Sequence, residues 1–254
     1  MDTASRHFLW LYAKSQLRLK YRHTSLGFLW NFLEPACYLT VLSLVFSVVN
    51  RMQVHDYVVF LFSALIPWRY FENVVNGAME SIVGGAWLLK KIYVSPLAFP
   101  CIRWIVASIE FLFSFIIVLL LFVFIKDTWT IHLLILPVSI MLWSIFGLGL
   151  GLICAVIFTF FRDIKPIVQM FMMFIFFSSP ILFKSGMFKD HAVQSVLLRL
   201  HPMTYFSSLF QKPIYYALWP SYTDWGITMG CSVTAIALGY YLEKKFKSRF
   251  YFYL

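Results

Sequence analysis

Long apolar runs separated by short polar segments dominate this chain. The runs are long enough to cross the hydrocarbon core of a bilayer, which takes about 20 residues of α-helix. We predict six membrane-spanning helices, at about residues 31–50, 57–78, 104–125, 133–160, 164–183 and 225–242. The predicted fold is therefore an all-α integral membrane protein, with a single transmembrane domain over residues 1–254.

The segment that precedes the first span has a different pattern. Residues 5–29 are predicted to form a helix in the membrane interface, because apolar and basic residues fall on separate arcs at 100° per residue. The apolar arc holds Leu9, Trp10, Ala13, Leu17 and Tyr21, and the basic arc holds Lys14, Arg18 and Arg22. Lys20 falls on the apolar side, where it would have to snorkel towards water.

Residues 184–224 are too polar to form two further spans. Pro202, Pro213 and Pro220 divide this segment, yet it is rich in aromatic residues. Short helices that lie on the outer surface of the membrane, or dip into it, fit this composition better than a soluble loop does. After the sixth span, residues 243–254 are predicted to form a cytoplasmic tail.

The distribution of Lys and Arg sets the predicted orientation. On one side of the membrane, which includes both termini, 14 Lys and Arg fall within 71 residues, counted over residues 1–29, 79–103, 161–165 and 243–254. The loops on the opposite side hold 6 in 54 residues. Because basic residues concentrate on the cytoplasmic side of membrane proteins, both termini are predicted to be cytoplasmic.

Composition agrees with this membrane class and excludes others. Hydrophobic residues make up 61% of the chain and charged residues 13%, against about 25% charged residues in soluble domains. The formal charge of +10 does not indicate nucleic-acid binding, because the cations cluster beside the apolar runs. The four cysteines are scattered singly, so they imply neither a metal site nor a disulfide framework.

The sequence contains no nucleotide-binding or catalytic motif. A GxxxxGK[ST] loop and an acidic metal cluster are both missing, so we expect no cofactor in this chain and no ATP binding of the P-loop kind. Gly147-Leu-Gly-Leu-Gly151 lies inside an apolar run, where small residues favour close helix packing over dinucleotide binding. No Ser/His/Asp or paired-carboxylate arrangement is apparent.

The second predicted span carries two charges. Arg69 and Glu72 follow Pro67, and a charge at the centre of a span costs roughly 2.5–3.5 kcal/mol on insertion scales. Their i,i+3 spacing lets them pair on one helix face. We therefore expect both side chains to face the protein interior rather than lipid.

The first predicted span carries a polar and aromatic stripe. Trp30, Glu34, Tyr38 and Val41 recur at i, i+4, i+8 and i+11. An acid within a membrane helix marks a functional-site hypothesis, and the alternative is an acid at the headgroup level where the helix starts. Pro35 frees a backbone carbonyl, which needs another partner.

The fifth predicted span is rich in phenylalanine, with Phe171, Phe174, Phe176 and Phe177. Aromatic residues at helical spacing usually face lipid or pack against neighbours. The alternative is a lining of flat rings for sugar, along which a polymer slides because each contact is weak and repeated.

The loop between spans two and three contains Trp87, Lys90 and Lys91 before Pro96. A short amphipathic helix here would present its lysines to the cytoplasm and dock a soluble partner. The alternative is a charged loop that only fixes the topology.

An ordered set of motifs over about residues 10–245 carries a family resemblance. The motifs are Lys20-Tyr-Arg22, Leu26-Gly-Phe-Leu-Trp30, Glu34-Pro35, Leu65-Ile-Pro-Trp68, Lys90-Lys91 before Pro96, Phe161-Arg-Asp-Ile164, Ser179-Pro-Ile181 and His201-Pro-Met203. Together they resemble the permease subunits of ABC exporters for bacterial cell-surface polysaccharides, namely O-antigen, capsule and teichoic acid. The Phe-Arg-Asp-Ile element is most similar to the O-antigen branch.

This resemblance implies a homodimer of six-helix subunits with two copies of a separate P-loop ATPase, which would bind ATP and magnesium. The implied cargo is an undecaprenyl-pyrophosphate-linked glycan, exported across the bacterial inner membrane. Arg18 and Arg22 would lie at the substrate headgroup, and residues 184–219 would form outer gate helices. Coupling to the ATPase would use residues 84–96, including Trp87, Lys90 and Lys91. The implied translocation path is lined by Trp30, Glu34, Tyr38, Trp68, Arg69, Glu72, Phe174 and Phe177.

Two other functions compete with this one. An ABC exporter of a drug or small lipid would have the same general architecture. A membrane enzyme acting on polyprenyl lipids is the third possibility, but it would concentrate polar residues at one membrane face, and only Arg162-Asp-Ile-Lys165 approaches that pattern.

Overall fold

The computed structural model describes residues 3–22, 26–91, 94–126, 130–184 and 192–253. Within these ranges the regular structure is entirely helical. The α-helices are α1 (Thr3–Tyr21), α2 (Trp30–Val49), α3 (Val54–Gly84), α4 (Ala86–Leu89), α5 (Ala98–Lys126), α6 (Leu136–Phe160), α7 (Ile164–Ser178), α8 (Ala192–Leu200), α9 (Pro202–Gln211) and α10 (Tyr222–Tyr253). Short 3-10 helices, Gly27–Leu29 and Ile131–Ile135, precede α2 and α6, and a π-helix, Lys212–Tyr216, follows α9.

Five of the described helices are long and apolar enough to cross a membrane: α2, α3, α5, α6 (with the 3-10 turn before it) and α10. They match five of the six predicted spans. The remaining predicted span, residues 164–183, is the apolar helix α7, which has 15 residues. At 1.5 Å per residue α7 is about 22 Å long, shorter than the roughly 30 Å hydrocarbon core.

The ends of two elements differ from the predicted boundaries. The helix predicted within residues 5–29 ends at Tyr21. The predicted tail, residues 243–254, is instead a continuation of α10 to Tyr253. The reason is packing, since the ring of Phe160 contacts the rings of Phe246 and Phe250, with centroids 5.6 and 5.8 Å apart.

The long helix α3 forms the centre of the bundle, and most of its side chains are buried against α2, α5, α6 and α9. An aromatic cluster holds these helices together. Phe71 of α3 stacks on Phe146 of α6 (centroids 5.4 Å apart), which stacks on Phe206 of α9 (4.5 Å). Trp143 joins the cluster and donates its indole N–H to the Pro67 carbonyl (2.6 Å). The apolar pattern of α3 therefore serves protein packing more than lipid contact.

Helices α6 and α10 pack at backbone distance because glycines face each other. A Cβ atom added to Gly149 would lie 2.5 Å from the Ile236 nitrogen, and one added to Gly239 would lie 2.7 Å from the Gly149 oxygen. Gly151 has the same role towards α3, since its added Cβ would lie 2.7 Å from that of Ala78. The predicted use of this glycine run in close helix packing is confirmed.

Helix α1 packs on α5 through part of its predicted apolar arc. Ala13 is fully buried in a cluster with Ile102 and Val106 of α5, and Leu17 packs against that cluster. Trp10, from the same arc, is 57% exposed. One part of the apolar arc therefore packs on α5, and another part, Trp10, is exposed.

The segment between α7 and α10 turns back into the bundle. Phe206, Leu209 and Phe210 of α9 are fully buried beside α3 and α6. The following π-helix ends at Ala217, which adopts a left-handed conformation (φ +50°). Lys212 then pairs with Asp224 at the start of α10. The predicted division of this segment into short helices is confirmed, while their position at the outer surface of the membrane stays a prediction. Residues 185–191 of the segment lie outside the described ranges.

The glycine contact between α6 and α10 yields a stability prediction. We expect Gly149→Ala to lower the free energy of unfolding by about 1–3 kcal/mol, because the added methyl group meets backbone. Gly230→Ala on α10 is the matched control, since a Cβ atom there meets nothing within 4 Å. Thermal unfolding of both variants in detergent measures the difference, and equal melting temperatures would contradict the packing.

Candidate functional site

Arg69 of α3 draws together three side chains from two helices. Its guanidinium lies 3.2 Å from Glu34 of α2 and 3.1 Å from Glu72, and it stacks over the ring of Tyr38, 4.2 Å from the centroid. The predicted Arg69–Glu72 pair is confirmed, and the structure adds Glu34 and Tyr38 to it. The predicted interior position is only partly correct, because the Arg69 and Glu72 side chains are each 31% exposed.

This charged cluster lies in a groove between α2, α3 and α7. We use "the groove" for the 220 Å³ cavity lined by Tyr38, Leu42, Leu65, Trp68, Arg69, Glu72, Met172, Met173, Phe176, Phe177 and Leu182. Trp68 forms its buried floor against Phe176, with centroids 5.7 Å apart. Phe177 is 53% exposed at its side. The groove therefore combines flat aromatic faces with a charged centre.

Pro35 links α2 to α5 through the carbonyl that it leaves free. Proline has no N–H to donate to the carbonyl four residues earlier, which is that of Asn31. The Ser114 hydroxyl of α5 donates to this carbonyl (2.5 Å). The predicted need for another partner is confirmed, and α2 is held against α5 at the level of Glu34.

A second ion pair connects α1 to α5. The Lys20 ammonium lies 2.8 and 2.9 Å from the two carboxylate oxygens of Glu110. The Tyr21 hydroxyl lies 2.7 Å from Glu110 and 2.7 Å from the Asn31 side chain. Burial, followed by the hydrogen bond to Glu110, raises the pKa of Tyr21, so the hydroxyl stays protonated and can donate. The predicted reach of Lys20 towards water agrees with its 54% exposed side chain, and the structure adds Glu110 as a partner that was not predicted.

A polar crevice runs between α3 and α5, with α1 along its side. We use "the crevice" for two adjoining cavities of about 150 and 300 Å³ that share Lys20, Asn73, Ala107 and Glu110. The smaller cavity reaches Arg69 and Glu34, and the larger one reaches Glu80 and Arg103. Arg69 lines both the crevice and the groove, so this residue stands where the two meet.

The four-residue helix α4 presents a basic and aromatic surface at the end of the bundle where α1 begins its contact with α5. Its Leu89 is buried, and a Cβ atom added to Gly85 would lie 2.3 Å from the Phe99 ring, so the turn is tightly seated. Trp87 is 55% exposed, and the Lys91 ammonium lies 5.9 Å from its ring centroid. Lys90 is exposed beside them.

The predicted site residues therefore separate into groups. Glu34, Tyr38, Arg69 and Glu72 meet directly, and Trp68 and Phe177 line the same groove as three of them. The other predicted site residues do not join this cluster. Trp30 and Phe174 are exposed and line neither the groove nor the crevice. Two more groups lie elsewhere: Arg18 and Arg22 are exposed on and just after α1, and Trp87, Lys90 and Lys91 lie on and after α4.

The prediction missed Glu110, Asn31 and the role of Lys20. Glu110 is an acid within a predicted span, and such a residue is a functional candidate for the same reason as Glu34. This signal was present in the sequence. The pairing of Glu110 with Lys20, 90 residues away, depends on the packing of α1 against α5, which no local pattern reveals. Among the residues that the structure describes, no group of His, Cys, Asp or Glu is arranged to hold a metal ion.

The Arg69 cluster yields a graded stability prediction. Arg69→Gln removes the shared partner of Glu34 and Glu72, and we expect it to lower the free energy of unfolding by about 2 kcal/mol, the scale of a hydrogen bond to a charged group. Glu34→Gln should have a smaller effect, because the Glu34 side chain is 64% exposed and Glu72 remains. Melting temperatures in lipid nanodiscs test the order; a larger loss for Glu34→Gln would contradict it.

A family model described as ABC-2 type transporter matches residues 7–215. The chain is 30% identical over 200 residues to the O-antigen export system permease protein RfbA of Myxococcus xanthus, covering 79% of this chain and 77% of the relative. It is 28% identical over 180 residues to RfbA of Klebsiella pneumoniae, with 68% of each chain covered. It is 24% identical over 224 residues to the polysialic acid transport protein KpsM of Escherichia coli, with 84% and 82% covered.

Proposed function

The chain belongs to the ABC-2 type transporter family, and from this membership we propose that it is the permease subunit of an ATP-driven polysaccharide exporter in the bacterial inner membrane. The cargo is a lipid-linked glycan of the O-antigen class, because the relatives that share 26–30% identity are named O-antigen export permeases. The permease itself does no chemistry, and ATP and magnesium bind to a separate ATPase.

The observation that carries this proposal is the groove between α2, α3 and α7. A pyranose ring has apolar C–H faces, which suit the exposed ring of Phe177, and hydroxyl groups, which suit Arg69 and Glu72. Such contacts are individually weak, and weak repeated contacts let a polymer advance rather than stay bound. A compact drug would favour an enclosed apolar pocket, whereas this groove is open and has a charged centre.

The groove is open on one side, so we assign a second copy of the chain to close it. Apolar side chains of α2 beyond the groove are exposed, including Val41, Leu44, Val45 and Val48. These residues face lipid or the second copy. In this assembly α7 is the fifth of six spans in each subunit, and the turn after Ser178 extends it. Trp30 and Phe174 lie at the edge of the dimer interface, beside the path.

The end of the bundle that holds α4 is assigned to the cytoplasm, together with both termini. Two copies of a P-loop ATPase dock there against Trp87, Lys90 and Lys91. At the opposite end, α8, α9 and the π-helix act as an outer gate. Arg18 and Arg22, exposed on and after α1, attract the phosphate-bearing headgroup of the cargo to the membrane surface, because guanidinium groups match phosphate geometry.

Coupling through α4 is tested with the permease purified together with its ATPase in lipid. We expect Lys90→Gln with Lys91→Gln to lower the ATPase activity of the complex at least about tenfold, which corresponds to ~1.4 kcal/mol. Lys244→Gln with Arg249→Gln on α10 is the charge-matched control and should keep the activity. If the α4 variant forms an intact complex with unchanged ATPase activity, α4 does not couple the permease to the ATPase.

The cargo is tested in cells that make the surface glycan. Deletion of the gene should leave lipid-linked glycan inside the cell, and Arg22→Ala should reduce surface glycan while the complex still assembles. Immunoblots of surface and internal glycan measure both. Unchanged glycan together with altered drug tolerance would instead identify an exporter of a drug or small lipid.

A further inference from the structure

The crevice carries an arrangement of charge that the groove does not explain. Along α3 its lining recurs at Arg69, Asn73, Gly77 and Glu80, which are positions i, i+4, i+8 and i+11 on one helix face. At 1.5 Å per residue the stripe is about 16 Å long. It therefore runs from the end of the bundle near α4 to the Arg69 cluster.

Most of the charges in the crevice have partners, and one cation does not. Glu110 pairs with Lys20, Glu80 pairs with Lys165 (2.6 Å), and Arg69 pairs with Glu34 and Glu72. Arg103 lines the larger cavity without a carboxylate partner among the described residues. Its aliphatic stem lies on Gly77, 3.6 Å from the position of an added Cβ atom. Among the described residues, this exposed guanidinium therefore lines a polar cavity without a carboxylate partner.

Two neutral amide groups of the crevice also have an atom without a hydrogen-bond partner among the described residues. Asn73 and Asn76 line the larger cavity, and the Asn76 Oδ1 atom has no hydrogen-bond partner among the described residues. Deeper in, the Asn31 Nδ2 atom is likewise unpartnered. The Lys20 side chain remains 54% exposed despite its pairing with Glu110. The crevice therefore offers two cations and the free N–H donor of Asn31 to a small anion, whereas the free Asn76 oxygen is an acceptor and does not bind one.

We propose that the crevice between α1, α3 and α5 binds the phosphate groups of an anionic membrane lipid, with Arg103 and Lys20 as its cationic contacts. A guanidinium binds phosphate bidentately, and the free N–H of Asn31 donates to a remaining oxygen. A cavity of about 300 Å³ is at the lower end of ligand pockets and is large enough for a phosphate headgroup. Two lipids share this chemistry, the diphosphate of the lipid-linked cargo and a phospholipid of the bilayer.

Assigning the diphosphate-linked cargo to this site rests on the proposed function. In that assignment the diphosphate first contacts Arg18 and Arg22 at the exposed surface. It then binds in the crevice, in contact with Arg103 and Lys20. Arg69 is the next cation along the stripe, and it already lines the groove. The crevice then leads the headgroup from the membrane surface towards the translocation path.

A substitution at Glu110 tests the site, because the proposal predicts that anion affinity rises rather than falls. Its carboxylate competes with phosphate for Lys20, so Glu110→Gln should strengthen anion binding, whereas a purely structural role would leave binding unchanged or weaken it. Arg103→Gln should weaken binding. Arg162→Gln is the matched control, because Arg162 is an exposed arginine in the turn between α6 and α7 and lies outside the crevice.

The experiment measures binding of polyprenyl diphosphate, phosphatidylglycerol and inorganic pyrophosphate to the purified full chain in detergent, by native mass spectrometry, with melting temperatures as a check of folding. We expect Arg103→Gln to lower the affinity for polyprenyl diphosphate about tenfold and Glu110→Gln to raise it severalfold, with Arg162→Gln unchanged. A similar loss for phosphatidylglycerol supports the anion site and assigns it to a bilayer phospholipid.

Equal binding by the Arg103→Gln and Arg162→Gln proteins would overturn the site, as would weaker binding by a folded Glu110→Gln protein. These outcomes are independent of the proposed function, because they do not require export. Conversely, if deletion of the gene leaves the surface glycan unchanged while Arg103 still governs lipid binding, the export function fails and the anion site stands.

Discussion

The need to neutralise Arg69 inside an apolar helix bundle governs the rest of this structure. Hydrocarbon cannot solvate a guanidinium, so the protein must supply its partners. Glu34 and Tyr38 come from α2 and Glu72 from α3 itself, and the cluster therefore fixes the position of α2 relative to the central helix. Because the same cluster lines the groove, one interaction both holds two spans together and places charge on the proposed path of the cargo.

The same constraint acts on the other polar groups within the bundle. Glu110 on α5 is compensated by Lys20 and Tyr21 of α1, and the carbonyl that Pro35 leaves free is compensated by Ser114. These contacts tie α1, α2 and α5 together and form the wall of the crevice. A helix that looks like an interfacial anchor thereby becomes part of a polar site at the edge of the bundle.

Local patterns in the sequence were sufficient for five of the six predicted spans, the Arg69–Glu72 pair, the glycine packing and the free carbonyl at Pro35, because each depends on residues within a few helical turns. They were not sufficient for Lys20 with Glu110 or for Arg69 with Glu34, which are 90 and 35 residues apart. Pairs of this kind are decided by which helix faces meet. The extension of α10 to Tyr253 has the same origin, since aromatic residues in a basic tail pack on Phe160.

We propose that glycan moves over the groove between α2, α3 and α7. This proposal is tested most directly by replacing Phe177 with a photo-crosslinking phenylalanine analogue in cells that make the glycan, and by placing the same analogue at Met229, which is 59% exposed on α10 away from the groove. We expect glycan adducts at position 177 and none at position 229. Adducts at position 229 alone, or no adduct at position 177 while export continues, would contradict it.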